Sequence, residues 1–166
     1  GSQLAGINSD RAQAAWDEWS DITDFRATLV RATVSASISG QAYVLVGVYP
    51  DGRPRVQLLD PLNVTIIYDP DDYEYHTGYL IEWTPKDAQE RRRKLVTLEE
   101  TGWVIRDQIS ESNYSDRWVT LTEETWPYDF CPVITWQNRL TAHRVYGDPD
   151  ITDAQVELMR RLNQVL

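Results

Sequence analysis

Histidine, cysteine and methionine are scarce in this chain. Its 166 residues include two histidines, one cysteine and one methionine. A single cysteine, Cys131, excludes an intrachain disulfide and suits a reducing cytoplasm. It lies between Phe130 and Pro132, an apolar setting, and reads as a buried, inert thiol. His76 and His143 are too few for an ordinary zinc site. His76, between Tyr75 and Thr77, reads as an exposed turn residue. Cys131 and His143 are the nearest Cys–His combination, and nearness along the chain does not make a catalytic dyad. No Gly-x-Ser-x-Gly elbow and no phosphate-cradling glycine loop occurs, so acyl transfer and nucleotide binding have no motif to rest on. No apolar run approaches the roughly 20 residues of a spanning helix. No signal-peptide pattern is legible, and no membrane partner is expected.

Positive charge is also in short supply. Sixteen Lys and Arg against 26 Asp and Glu give a net charge of −10. Such a surface repels phosphate, which argues against general nucleic-acid affinity. The basic cluster Arg91-Arg92-Arg93-Lys94 sits near Glu90, Glu99 and Glu100 and reads as a solvated strand start or loop. Asp69, Asp71, Asp72 and Glu74 invite a calcium reading. They lack the mid-loop glycine and late glutamate of an EF-hand, so a solvated acidic turn is expected. Asp148 and Asp150 flank Pro149 ahead of a helix, where the helix dipole favours negative charge. Capping accounts for them without glycosidase chemistry. No catalytic, cofactor-binding or metal-ligating residue is assigned. No cofactor and no enzymatic activity are expected.

What is present is a globular composition, 42% apolar and 25% charged, long enough for one domain with a real core. Seven Trp and nine Tyr stand against two Phe. These rings fill strands or dress half-exposed surfaces. Trp83, Trp103, Trp118, Trp126 and Trp136 all fall on or near predicted strands. A carbohydrate- or peptide-binding module built on them is the alternative reading.

The stretch from Ser35 to Asp69 organises the rest. Ahead of it, Asn8-Ser9-Asp10 offers helix caps. Ala12, Ala15, Trp16 and Trp19 follow at helical spacing. Ser20-Asp21 interrupts, and Ile22, Phe25, Leu29, Ala32 and Ala36 resume the period up to Gly40. That predicts two helices or one bent one, with a small-residue stripe at Ala32, Ser35, Ala36 and Ser39. Strands are expected at Ala42 to Tyr49, Arg55 to Leu59 and Val64 to Tyr68. The turn Pro50-Asp51-Gly52-Arg53 joins the first two. Asp60-Pro61 ends the second. Further strands are predicted around Tyr79 to Trp83, Lys94 to Glu99, Trp103 to Ile109, Trp118 to Glu123 and Pro132 to Trp136. Lys86 to Glu90 reads as a helical turn and Ser110 to Asp116 as a polar loop. Hairpin-length connections predict an antiparallel meander. Asp150 or Thr152 caps a final helix with an apolar stripe of Ile151, Ala154, Leu158, Leu162 and Val165. That stripe is expected to pack on the helix from Ile22 to Ala36.

The fold class is thus α+β, an antiparallel multi-stranded sheet with N-terminal helices and a C-terminal helix. Three segments make one domain: helical 1–40, β-rich 41–136, and loop plus helix 137–166. Gly1-Ser2 reads as a cloning scar, and the last helix stays periodic to Leu166. Both lead to the expectation of an excised piece of a longer protein.

Four motifs in order resemble the tailed-bacteriophage portal proteins. They are Gly40-Gln41-Ala42-Tyr43 after a helix, the Asp51-Gly52 turn, Asp60-Pro61-Leu62-Asn63-Val64, and Pro132-Val133-Ile134-Thr135-Trp136-Gln137-Asn138. A loop and a helix beginning at Asp150-Ile151 follow. The resemblance runs from about Ala27 to Leu166 and is to the wing region. It implies a structural protein of the capsid vertex that forms a ring, usually dodecameric. Such a ring passes genomic DNA during packaging and ejection. It docks the terminase and contacts capsid and head–tail adaptor proteins. It implies a virion protein made in the bacterial host cytoplasm, or a prophage copy of one. Stem, crown and tunnel loop have no counterpart in these residues, so no specific DNA site is implied here.

Overall fold

The computed structural model describes residues 9–49, 51–72, 74–110, 116–139, 147–150, 152, 154–157 and 160–161. Two helices open the chain, α1 (Ser9–Ile22) and α2 (Phe25–Ser39). The break falls at Thr23 and Asp24, not at Ser20-Asp21 as the sequence suggests. Asp24 takes the left-handed conformation, with φ at 49°, which an aspartate tolerates and a continuing helix does not. Ser20 stays helical and buried. Trp16, Trp19 and Phe25 close over the bend, with ring centroids 4.7 to 5.4 Å apart.

Among the described residues eight strands follow: β1 (Gln41–Val48), β2 (Pro54–Leu59), β3 (Val64–Tyr68), β4 (His76–Trp83), β5 (Arg91–Glu99), β6 (Gly102–Ser110), β7 (Trp118–Thr125) and β8 (Val133–Gln137). All pair antiparallel, in two sheets. Strands β3 to β7 form the expected meander. The other sheet departs from it: its order is β2-β1-β8. The last strand returns to lie beside the first, with Gln41 opposite Gln137 and Leu45 opposite Val133. Near-continuous apolar character in β1 is the physical reason. Ala42, Tyr43 and Leu45 are all buried, so β1 is wanted at the centre of a sheet covered on both faces.

The three-stranded sheet lies between α2 and the five-stranded sheet. On the helix side, Ala32 and Ala36 meet Ala42, none more than 3% exposed. The small-residue stripe lets helix and strand backbones approach closely. On the other side Tyr43, Leu45, Leu59 and Val133 pack with Tyr79, Ile81, Val96, Trp103, Ile105 and Trp126. This is the main core. Each fully buried aliphatic chain here stabilises by roughly 1.5–3 kcal/mol relative to exposure. Tyr43 and Tyr79 cross edge to face with centroids 6.2 Å apart. The Tyr79 hydroxyl and the Thr135 hydroxyl hydrogen bond at 2.9 Å, linking the two sheets.

Three local expectations need correction. Ser110 is the last residue of β6, fully buried between Arg91 and Trp118, rather than part of a loop. Lys86 and Asp87 form a tight turn, not a helical one. Ala88 N–H bonds Pro85 O at 3.2 Å, and Asp87 has φ of 62°. In the C-terminal helix, residues 154–157 and 160–161 are helical. Ala154, the one described member of its apolar stripe, is exposed rather than covered by α2. Ile151, Leu158, Leu162 and Val165 lie outside the described residues.

Candidate functional site

Two places bring together residues distant in sequence. The first is a junction at the end of α2. Gly40 caps the helix with φ at 81°, its N–H bonded to Ala36 O at 2.8 Å. Its carbonyl accepts the Asn138 N–H at 2.9 Å. The Asn138 side-chain amide donates to Asp148 O at 3.1 Å. The Asp150 N–H reaches back to Ser37 O at 2.7 Å. Gly147 is wedged between Gly40 and Asn138, and a Cβ on it would strike both backbones. Hydrogen bonds from Ser37, then Asn138, with Arg139 nearby, hold the Asp150 carboxyl below its usual range. The Arg139 guanidinium pairs with it at 3.0 Å. Asp150 is therefore a clasp, and Thr152 takes the cap instead. Gln155 Oε1 accepts the Thr152 N–H at 2.8 Å, the backward half of a capping box.

The second place is a groove of about 530 Å³ at the open end between the two sheets. Strand alternation builds it. Trp83, opposite Arg92, and Ile81, opposite Lys94 and then Asp107, share the inner face of the five-stranded sheet. Arg55, Gln57 and Leu59 line it from β2. Lys94 is neutralised by Asp107, which also accepts the Thr122 hydroxyl at 3.2 Å. Arg55 donates to Gln57 Oε1 at 2.8 Å and lies 5.6 Å above the Tyr49 ring. No described carboxylate pairs with it. Arg92 has only Glu90, at 4.0 Å. Two guanidiniums beside a Trp83 that is 37% exposed thus face solvent in a chain of net charge −10. Arginine forks and an indole bind carboxylates, phosphates and aromatic rings. Among the described residues the lining holds no histidine, cysteine or serine.

The basic run that reads as a solvated strand start is thus divided by the pleat. Arg92 and Lys94 enter the groove. Arg91 and Arg93 lie over Trp118, at 5.1 and 4.1 Å, and Arg93 also reaches the groove's lining. Alternation within the run, matched to Arg55 and Gln57 in β2, is the signal that identifies these lining residues.

The aromatic residues do not form one platform. Trp103 and Trp126 are core. Trp83 and Trp118 point to opposite faces of one sheet, and Trp136 stands on the helix side of the other. Cys131 is partly buried, and burial pushes its thiol up to about 11. Its sulfur accepts the Val133 N–H at 3.4 Å. His76 is exposed, as expected, but begins β4 and sets its ring edge-on to Tyr79. His143 lies outside the described residues. Asp69 and Asp72 each accept a backbone N–H two residues on, from Asp71 at 2.8 Å and Glu74 at 3.0 Å. The acidic segment is accordingly a self-bonded turn. No group of three His, Cys, Asp or Glu side chains among the described residues is arranged to hold a metal. No described helix is long and apolar enough to cross a membrane.

Comparison with protein-family models gives no match to this chain, and comparison with curated proteins gives none.

Proposed function

We propose that the chain is a non-catalytic structural part of a phage portal ring, equivalent to its wing region. The ring would stand at the capsid vertex of a virion, serve DNA packaging and ejection, and dock the terminase. One observation carries this reading. Two of the four motifs, 40–43 and 132–138, meet the segment 147–150 that leads into the final helix at a single junction. Gln41 pairs with Gln137, Gly40 bonds Asn138, and Asn138 bonds Asp148. The acidic exterior adds support, since a conduit must not retain the DNA that slides past it. In this reading the chain contacts its own copies, capsid and adaptor proteins, and offers no specific DNA site.

Electron microscopy of the whole gene product that carries this sequence tests it. Closed rings are the expected outcome. Monomers at micromolar concentration would overturn the portal reading.

A further inference from the structure

The five-stranded sheet is electrically lopsided. One end, formed by the β3–β4 and β5–β6 turns, carries Asp69, Asp71, Asp72, Glu74, Glu99 and Glu100. The groove with Arg55, Arg92 and Trp83 opens at the other end. Strand β4 joins the two, with His76 at the acidic end and Trp83 at the groove. At roughly 3.4 Å per residue its eight residues separate them by about 25 Å. They cannot neutralise each other within one molecule.

We infer that the groove receives the acidic β3–β4 turn of a second copy of this chain, head to tail. Charge complementarity argues for this occupant. Arg55 has no described carboxylate within ion-pair distance and Arg92 has only Glu90, at 4.0 Å, with Asp60 at the groove's rim, while Asp71 and Glu74 are exposed with no described cation beside them. Apolar complementarity agrees. Tyr75, 50% exposed, flanks the turn, and Trp83, 37% exposed, flanks the groove. The turn is also preorganised by its own backbone bonds, so docking orders little new chain. Two different patches give a heterologous contact, which propagates and closes where the rotation allows. The inference deepens the ring reading and rests on it for closure, but its test needs no ring.

The test is charge reversal with mixing. One double variant, Arg55→Glu with Arg92→Glu, inverts the groove. The other, Asp71→Lys with Glu74→Lys, inverts the turn and spares Asp69 and Asp72, which hold its shape. All four side chains are exposed, and thermal unfolding checks that each variant remains folded. Sedimentation velocity over a concentration series reads association. Wild type should associate weakly as concentration rises. Each variant alone should lose about tenfold or more in association constant, because like charges now meet. The equimolar mixture should recover it. The turn variant discriminates against net-charge effects. It moves the chain four units toward neutrality from −10, which by itself would promote association. A mixture that stays monomeric overturns the inference. So does Trp83 fluorescence that responds to inorganic phosphate while the mixed variants ignore each other, since the groove would then serve a free anion. Rings from the whole gene product with a failed mixture would reject this contact and leave the portal reading standing.

Discussion

The carbonyl oxygen of Gly147 occupies the space where a side chain on Gly40 would have to stand. Gly40 also holds φ at 81°. Two separate demands therefore select glycine there. Gly52 has nearly the same φ, 83°, but nothing within 4 Å of a built Cβ. Gly52→Ala should cost about 1 kcal/mol from backbone strain alone. Gly40→Ala should cost roughly 2–4 kcal/mol, since strain and overpacking add. Urea midpoints at unchanged slope measure both. Equal losses would mean that the junction yields freely.

Replacing Ala36 with leucine should separate α2 from the three-stranded sheet. Ala36 is 3% exposed against a fully buried Ala42, so added methylenes have nowhere to go. A loss of about 1–3 kcal/mol is expected. Val34→Leu, on the exposed side of the same helix, should change stability by less than about 0.5 kcal/mol. Comparable losses at the two positions would remove the close-packing account.

Stability should fall in alkali through two groups. Burial raises the Tyr79 phenol above 10.0 and the Cys131 thiol from 9.0 to about 11. Both acids ionise more readily when unfolded. Their contributions are whole below the unfolded values and are lost as pH rises through the folded ones. The Cys131 part is lost first, between 9.0 and about 11. Cys131→Ala should flatten unfolding free energy across that window. A slope unchanged by the substitution would contradict the burial argument. Native Cys131 should also react slowly with a bulky thiol reagent.

On the acid side Asp150 works in the opposite direction. Its carboxyl is held below 3.8 by Ser37, Asn138 and Arg139. The stabilisation is present above 3.8 and disappears as pH falls through the lower folded value. Asp150→Asn should weaken the fold at neutral pH and reduce its loss on acidification. Chemical denaturation at neutral pH and at a series of pH values descending below 3.8 measures both changes. Identical acid sensitivity in the variant would assign the clasp no electrostatic role.

Local chemistry made most elements legible. β-branched runs, Asp-Gly and Pro punctuation, and the glycine at position 40 located the strands and the end of α2 within a few residues. What stayed hidden was set by distant contacts. Nothing local in Val133 to Gln137 says that this strand joins β1 rather than β7. That pairing follows from the need of Tyr43 and Leu45 for cover on both sides. The helix breaks at Asp24 rather than at Ser20-Asp21, where the apolar period pauses, because Trp16, Trp19 and Phe25 pack their rings across the bend. The groove was invisible as a site because its cations come from β2 and β5. It takes two sheets and the parity of each strand to set Arg55 opposite Arg92.

The pairing of β1 with β8 also sets a timetable for synthesis. The β1–β2 hairpin leaves the ribosome early, and its free edge must wait for residues 133–137. At about 5–20 residues per second that delay is on the order of ten seconds. For that interval the nascent chain carries an unpaired strand of Ala, Tyr, Val and Leu, a template on which neighbouring chains of a polysome can pair wrongly. The meander β3 to β7 is made during the same interval from neighbour-to-neighbour contacts, which form fast. It can cover the inner face of the hairpin before its edge partner exists. Slower translation between the β1–β2 hairpin and the β8 segment lengthens that exposure.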